Sequence, residues 1–223
     1  GGTMTGNLAT AGISAVTAGT GNFVAGVNAG NSIVSGGNNN TLVGDEAGTA
    51  ITTGDDNTAV GKSALESNTT GSSNTAVGDN SLSANTTAAN NVAVGGYALS
   101  TNTTGTANVA VGKIALRFNT TADNNTAIGY SALYANTTGS NNTANGYNAL
   151  TANTTGAYNT AHGVKALENN TTGTQNTSVG FQSLKNNTTA SYNTALGMYA
   201  LNLNTTGANN TAVGLQALKS NTT

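Results

Sequence analysis

The sequence predicts an all-β protein, a parallel β-solenoid or β-roll with 17-residue coils. Three observations carry this reading. A 17-residue unit recurs without insertion or deletion from residue 40 to 223, and a fixed short period marks coils stacked on one another. The unit is too short for the helix pairs of α-solenoids, and its Thr, Asn and Gly are poor helix formers. The chain contains no Pro, as expected where every coil donates backbone N–H groups to the next.

Residues 1–39 precede the repeat and are rich in Gly, Ala, Ser and Asn. Asn22-Phe23-Val24-Ala25-Gly26 precedes the first repeat, at Asn40, by one residue more than the period. This segment therefore reads either as degenerate coils or as a flexible lead-in. The repeat proper, 40–223, holds eleven copies, from Asn40-Thr41-Leu42-Val43-Gly44 through Asn57-Thr58-Ala59-Val60-Gly61 to Asn210. A full unit reads N-T-A-V-G-x-x-A-L-x-x-N-T-T-G-x-x. Its T-A-V alternates between two faces, which predicts a short strand over Thr58–Val60. A turn follows Gly61. Ala64–Leu65 reads as a second strand or one helical turn, and Asn68–Gly71 as a corner. Gly61, Gly71, Asn68 and Asn74 supply tolerance of φ > 0 at the corners. The structural columns are Val60, Asn68, Thr70 and an unbroken Leu series, Leu65, Leu82, Leu99, Leu116 and Leu133 onward to Leu218. Val60 and Leu65, with Ala59 and Ala64, are the expected core. Coils about 4.8 Å apart make eleven copies roughly 50 Å long. The last unit breaks off at Thr223, as expected of a segment of a longer fibre.

Two large apolar residues per coil are little to set against the entropy of ordering the whole coil. Stacked Asn and Thr side chains and association with other copies are the expected remedies, and three chains about one axis is the preferred arrangement.

Composition excludes several classes. Only 6% of residues are charged, and six Lys+Arg against eight Asp+Glu leave a net charge of -2. Nucleic acid is not an expected partner, because phosphate binding needs clustered cations. Membrane insertion is not expected, since no run approaches the ~20 apolar residues of a spanning helix. With no Cys there is neither a disulfide framework nor a thiolate zinc site. Gly61-Lys62-Ser63 lacks the partner glycine a phosphate loop would need at position 56. No cofactor-binding motif occurs and no catalytic constellation is apparent, so an enzyme is not expected.

Three groups remain as candidate sites. His162 occupies the Val60 column and Asn145 holds the same place one coil earlier. On a threefold axis they would gather an ion, either metal or anion; alternatively they satisfy one another or bind water. Tyr97, Tyr130, Tyr134, Tyr147, Tyr158 and Tyr192 fall outside the core columns and offer ring faces to a glycan, or else pack across coils. Asp55-Asp56 would either ligate Ca²⁺ or form a solvated corner. Asn68-Thr69-Thr70 and its copies match the N-x-[ST] sequon but read as corner residues repeated for geometry.

The N-T-A-V-G string, with N-V-A-V-G at Asn91 and Asn108 and N-T-A-I-G at Asn125, resembles the [NS]-x-A-[IV]-G repeat of trimeric autotransporter adhesin heads. That resemblance implies a left-handed parallel β-roll of three intertwined chains. The longer unit, and the opening Gly1-Gly2-Thr3-Met4-Thr5-Gly6-Asn7-Leu8, are similar to segments of phage tail fibres. Together they imply a structural, receptor-binding segment of a virion tail fibre, extracellular and homotrimeric, directed at a host-surface glycan or other outer-surface receptor. A bacterial surface adhesin head is the alternative. An ice-binding β-solenoid is a third reading, based on Thr ladders, although Thr69 and Thr70 are adjacent and would face opposite sides of a strand.

Overall fold

The computed structural model describes residues 13–14 and 18–222. It is a single-sheet β-solenoid with no helix among the described residues. The strands in chain order are β1 (Ile13–Ser14), β2 (Phe23–Ala25), β3 (Thr41–Val43), β4 (Thr58–Val60), β5 (Thr75–Val77), β6 (Val92–Val94) and β7 (Val109–Val111). They continue as β8 (Thr126–Ile128), β9 (Thr143–Asn145), β10 (Thr160–His162), β11 (Thr177–Val179), β12 (Thr194–Leu196) and β13 (Thr211–Val213). Spatial order equals chain order. From β2 onward all pairs are parallel, and β1 closes the first edge antiparallel, Ile13 opposite Ala25.

The repeat period sets the register. Thr58 pairs with Thr75 and Ala59 with Ala76, one unit on. Phe23 pairs with Thr41 across a step one residue longer than the period, so the sheet extends into the lead-in. The opening Gly1–Leu8 lies outside the described residues.

Hydrogen bonding between coils continues around the whole circuit. Within the sheet Thr58 N–H donates to Asn74 O at 2.9 Å and Gly78 N–H to Val60 O at 2.8 Å. Beyond it, Ser63 N–H donates to Asp45 O, Leu65 N–H to Ser81 O and Thr69 N–H to Thr86 O. Each coil is thus templated by its neighbour on all sides, which is how such short strands suffice.

The core differs from the sequence expectation in one column. The strands bury their middle residue and turn the outer two away. Ala59 is therefore inside, while Val60 is half-buried on the outer face. The interior is narrow: where it already holds a buried Leu, from Leu65 to Leu201, beside two Asn columns, the middle strand residue is Ala or Ser, whereas Val24 and Leu42 stand there in the coils where Gly30 and Gly48 take the Leu place.

The segment around Leu65 is neither strand nor helical turn but a tight turn with left-handed residues. Ser63 and Leu65 both have φ of 53°, and every Leu of the column lies in this region. A bulky residue there costs about 1–2 kcal/mol. Burying the Leu side chain, worth about 1.5–3 kcal/mol, offsets the strain; in the first coil of the repeat Gly48 takes this place at φ 57° and the strand residue Leu42 fills the interior instead. Asn68, Asn74 and Gly71 are not the positive-φ corners expected; that role falls to Gly61, Ser63, Leu65 and Ser73. Gly71 is small for a steric reason, since a Cβ there would sit 2.3 Å from Ala88 O.

The Asn columns are polar parts of the core. Asn57 and Asn68 both donate from Nδ2 to Gly71 O at 2.9 Å, using both lone pairs of one carbonyl. Asn57 Oδ1 accepts the backbone N–H of Asn74 at 3.0 Å, and Asn68 Oδ1 accepts Asn85 Nδ2 at 2.8 Å. Two ladders of buried amides thus run along the solenoid with donors and acceptors matched as far as Asn210, whose buried Nδ2 has no partner among the described residues. Where Ser178 replaces the core Ala, Ser183 replaces the Ala facing it, and the two hydroxyls hydrogen-bond.

Candidate interaction surface

Functional groups lie on the outer side of the sheet and at the turns. The strands project their first and third residues outward. Within the repeat the first position carries Thr in most coils, with Val92 and Val109 as exceptions. The third carries an aliphatic column from Val43 to Val213, broken only by Asn145 and His162. Strand alternation held the signal for this face, yet the reading that placed Val60 inside concealed it.

His162 and Asn145 are adjacent in the β9–β10 ladder, in register. Their column is solvent-facing in the single chain: His162 is exposed and Asn145 half-buried. The dry interior site considered for them therefore does not exist within one coil stack. Among the described residues no three His, Cys, Asp or Glu side chains gather as a metal site.

Two residues beyond the third strand position, after a glycine with φ near 134°, lies a second exposed position. It is charged or Gly from Asp45 to Lys113. It then becomes apolar in six successive coils: Tyr130, Tyr147, Val164, Phe181, Met198 and Leu215, each at least 40% exposed.

The six candidate glycan tyrosines divide into two groups. Tyr130 and Tyr147 stack at 5.7 Å with 14° between planes. Tyr134 meets Phe118 edge-on at 4.9 Å. Arg117 lies 5.1 Å from the Tyr97 ring and 5.3 Å from Phe118, a cation–π cluster. These four tyrosines pack across coils. Tyr158 and Tyr192 are the most exposed at 62% and 58%, both held at positive φ, and make no ring contact among the described residues. They stand two coils apart in one column, about 10 Å by strand spacing.

The remaining candidates are occupied structurally. Asp55 Oδ1 accepts Asn38 N–H at 2.7 Å and Asp56 Oδ1 accepts Asn39 Nδ2 at 3.2 Å, so both acids link to the preceding coil. The sequon asparagines, Asn68 and its copies to Asn204, are fully buried in the ladder and closed to modification in the folded chain. Thr69 gives its hydroxyl to Thr86 O at 3.0 Å, while Thr70 is exposed. Glu168 bridges Lys165 and Lys185 at 3.3 and 3.5 Å, pairs of small energetic weight at such exposure.

The fold and this surface define a β-solenoid repeat protein. Comparison with protein-family models, curated proteins and solved structures gives no match. No helix among the described residues is long and apolar enough to cross a membrane.

Proposed function

We propose that this chain is a shaft segment of a phage tail fibre: a homotrimeric, extracellular rod that presents or contributes to host-surface attachment, without catalytic activity. The observation that carries the reading is the outward aliphatic column on an otherwise unbroken solenoid. A rod laddered around its full circumference is stiff, and an apolar stripe along its length is suited to burial against parallel copies. The resemblance of the repeat and of the opening residues to fibre segments selects the biological setting. Tyr158 and Tyr192 are the residues of choice for a weak glycan contact along the flank, being exposed rings among Asn and Thr.

Light scattering on the purified chain tests the assembly: three chains per particle are expected, and a monodisperse monomer that keeps its β signal overturns the trimer. Antibodies against the chain test the setting. Labelling of fibres on virions by electron microscopy supports the reading, whereas labelling confined to a bacterial surface replaces it with the adhesin-head alternative.

One observation favours a second reading, an ice-binding solenoid. The outward Thr rank of the sheet places a hydroxyl and a methyl group on every coil of the repeat except those of Val92 and Val109. Thermal hysteresis at micromolar protein would support that reading and count against the fibre.

A further inference from the structure

We infer that Asn145 and His162 form a register lock: a polar layer through which copies of this chain associate in parallel and without slippage along the outer sheet face. The inference rests on the self-association proposed above and names what sets its alignment. The face is three residues wide, about 10 Å, and about 50 Å long. With the flanking exposed apolar strip it approaches the area that a stable interface uses, about 800 Å² per partner.

The third strand position is aliphatic from Val43 to Ile128 and again from Val179 to Val213, with the two polar residues consecutive between them. An aliphatic column alone is indifferent to slipping by one coil, because one aliphatic side chain meets another at every step. The polar pair removes that indifference. Neither side chain has a hydrogen-bond partner among the described residues, and both would be buried on association. Slipped by one coil, Asn145 of one copy still meets His162 of the other, but the remaining amide and imidazole are set against Ile128 and Val179 with nothing to bond. In register, each meets its own copies, and amide and imidazole each both donate and accept. A single polar layer in an apolar seam fixes alignment in this way.

The same pair would also match if two chains ran antiparallel about the β9–β10 step, Asn145 opposite His162. The flanking strip disfavours that arrangement, because it would set Lys113 against Met198. Parallel copies keep the apolar run from Tyr130 to Leu215 against itself and leave the charged positions together at the solvated rim.

The chain has no Cys, so single cysteines report alignment directly. Val111→Cys chains are oxidised alone, then mixed with Ile128→Cys chains (one-coil slip) and with Leu196→Cys chains (antiparallel). Same-residue cross-links are expected to exceed the slipped ones by at least about tenfold, and antiparallel cross-links to be at background. In the Asn145→Val/His162→Val background the oligomer persists and slipped cross-links rise to parity. Same-residue cross-links that stay dominant in that double variant overturn the lock while leaving self-association intact. Dominant Val111–Leu196 cross-links overturn the parallel arrangement. A monomeric wild-type chain by light scattering overturns both the lock and the assembly beneath it.

Discussion

Replacing Asn136 by Asp exchanges one buried amide nitrogen for an oxygen and changes little in size. Asn136 is fully buried. Its Nδ2 donates to Asn119 Oδ1 and to Gly139 O, each at 2.9 Å, and its Oδ1 accepts Asn153 Nδ2 at 2.8 Å. An ionised carboxylate there would face two acceptors with nothing to donate. Gly139 O would keep Asn125 Nδ2 at 2.9 Å, but Asn119 Oδ1 would be orphaned. The acid is therefore expected to keep its proton on folding, with a pKa raised above the ~3.9 of the unfolded chain. Holding that proton at pH 7 costs up to about 4 kcal/mol. Because the folded-state value is the higher one, the penalty is absent below about pH 4 and grows as pH rises towards the folded pKa. A neutral acid has one donor where the amide had two, so a pH-independent deficit of about 1 kcal/mol remains.

The assay is urea unfolding followed by far-ultraviolet circular dichroism between pH 3.5 and 8, with the wild type measured at each pH to cancel the titration of native acids. Asn136→Ala is the control. It loses the same bonds without a titrating group and is expected to cost about 2–4 kcal/mol at every pH. Wild-type stability of Asn136→Asp at pH 7, or a deficit that does not change with pH, would refute a buried, fully used amide ladder.

Two further substitutions test the packing. Leu133→Ala, at a fully buried position between Leu116 and Leu150, is expected to lose about 2–5 kcal/mol in the same denaturation assay. Gly112 and Gly96 form a contrasting pair. Gly112 has φ 136° and an added Cβ would lie 2.5 Å from Gly129 O, whereas at Gly96 the nearest atom, Asp79 O, is 3.9 Å away. Gly112→Ala should therefore shift the unfolding midpoint strongly and Gly96→Ala hardly at all; equal effects would contradict the coil geometry.

Much of the architecture could be read from residue order. The period gives the coil, because equivalent positions in stacked units share an environment and so recur. Thr58–Val60 was recognisable as a strand by its alternation, and the unbroken Leu65 and Asn68 columns were recognisable as constrained. Other features needed spatial neighbours. Serines at 178 and 183 look like unrelated departures from the unit, and only the coil brings their hydroxyls together. Tyr130 and Tyr147 are a full repeat apart in the chain and stacked in space, which withdraws them from the set of free rings.

The sequence by itself determined the repeat, the parallel register and the strand position, since each follows from local pattern multiplied by strict periodicity. Tertiary structure alone decided which side of each strand is inside. Alternation says that Ala59 and Val60 face opposite ways but is symmetric between the two choices; the volume left by two Asn columns and a Leu column breaks the symmetry in favour of alanine. It also decided that Leu65 occupies a left-handed conformation, which local preference opposes. There burial of the side chain in the apolar interior, which the small alanine of the strand leaves open, outweighs the backbone strain.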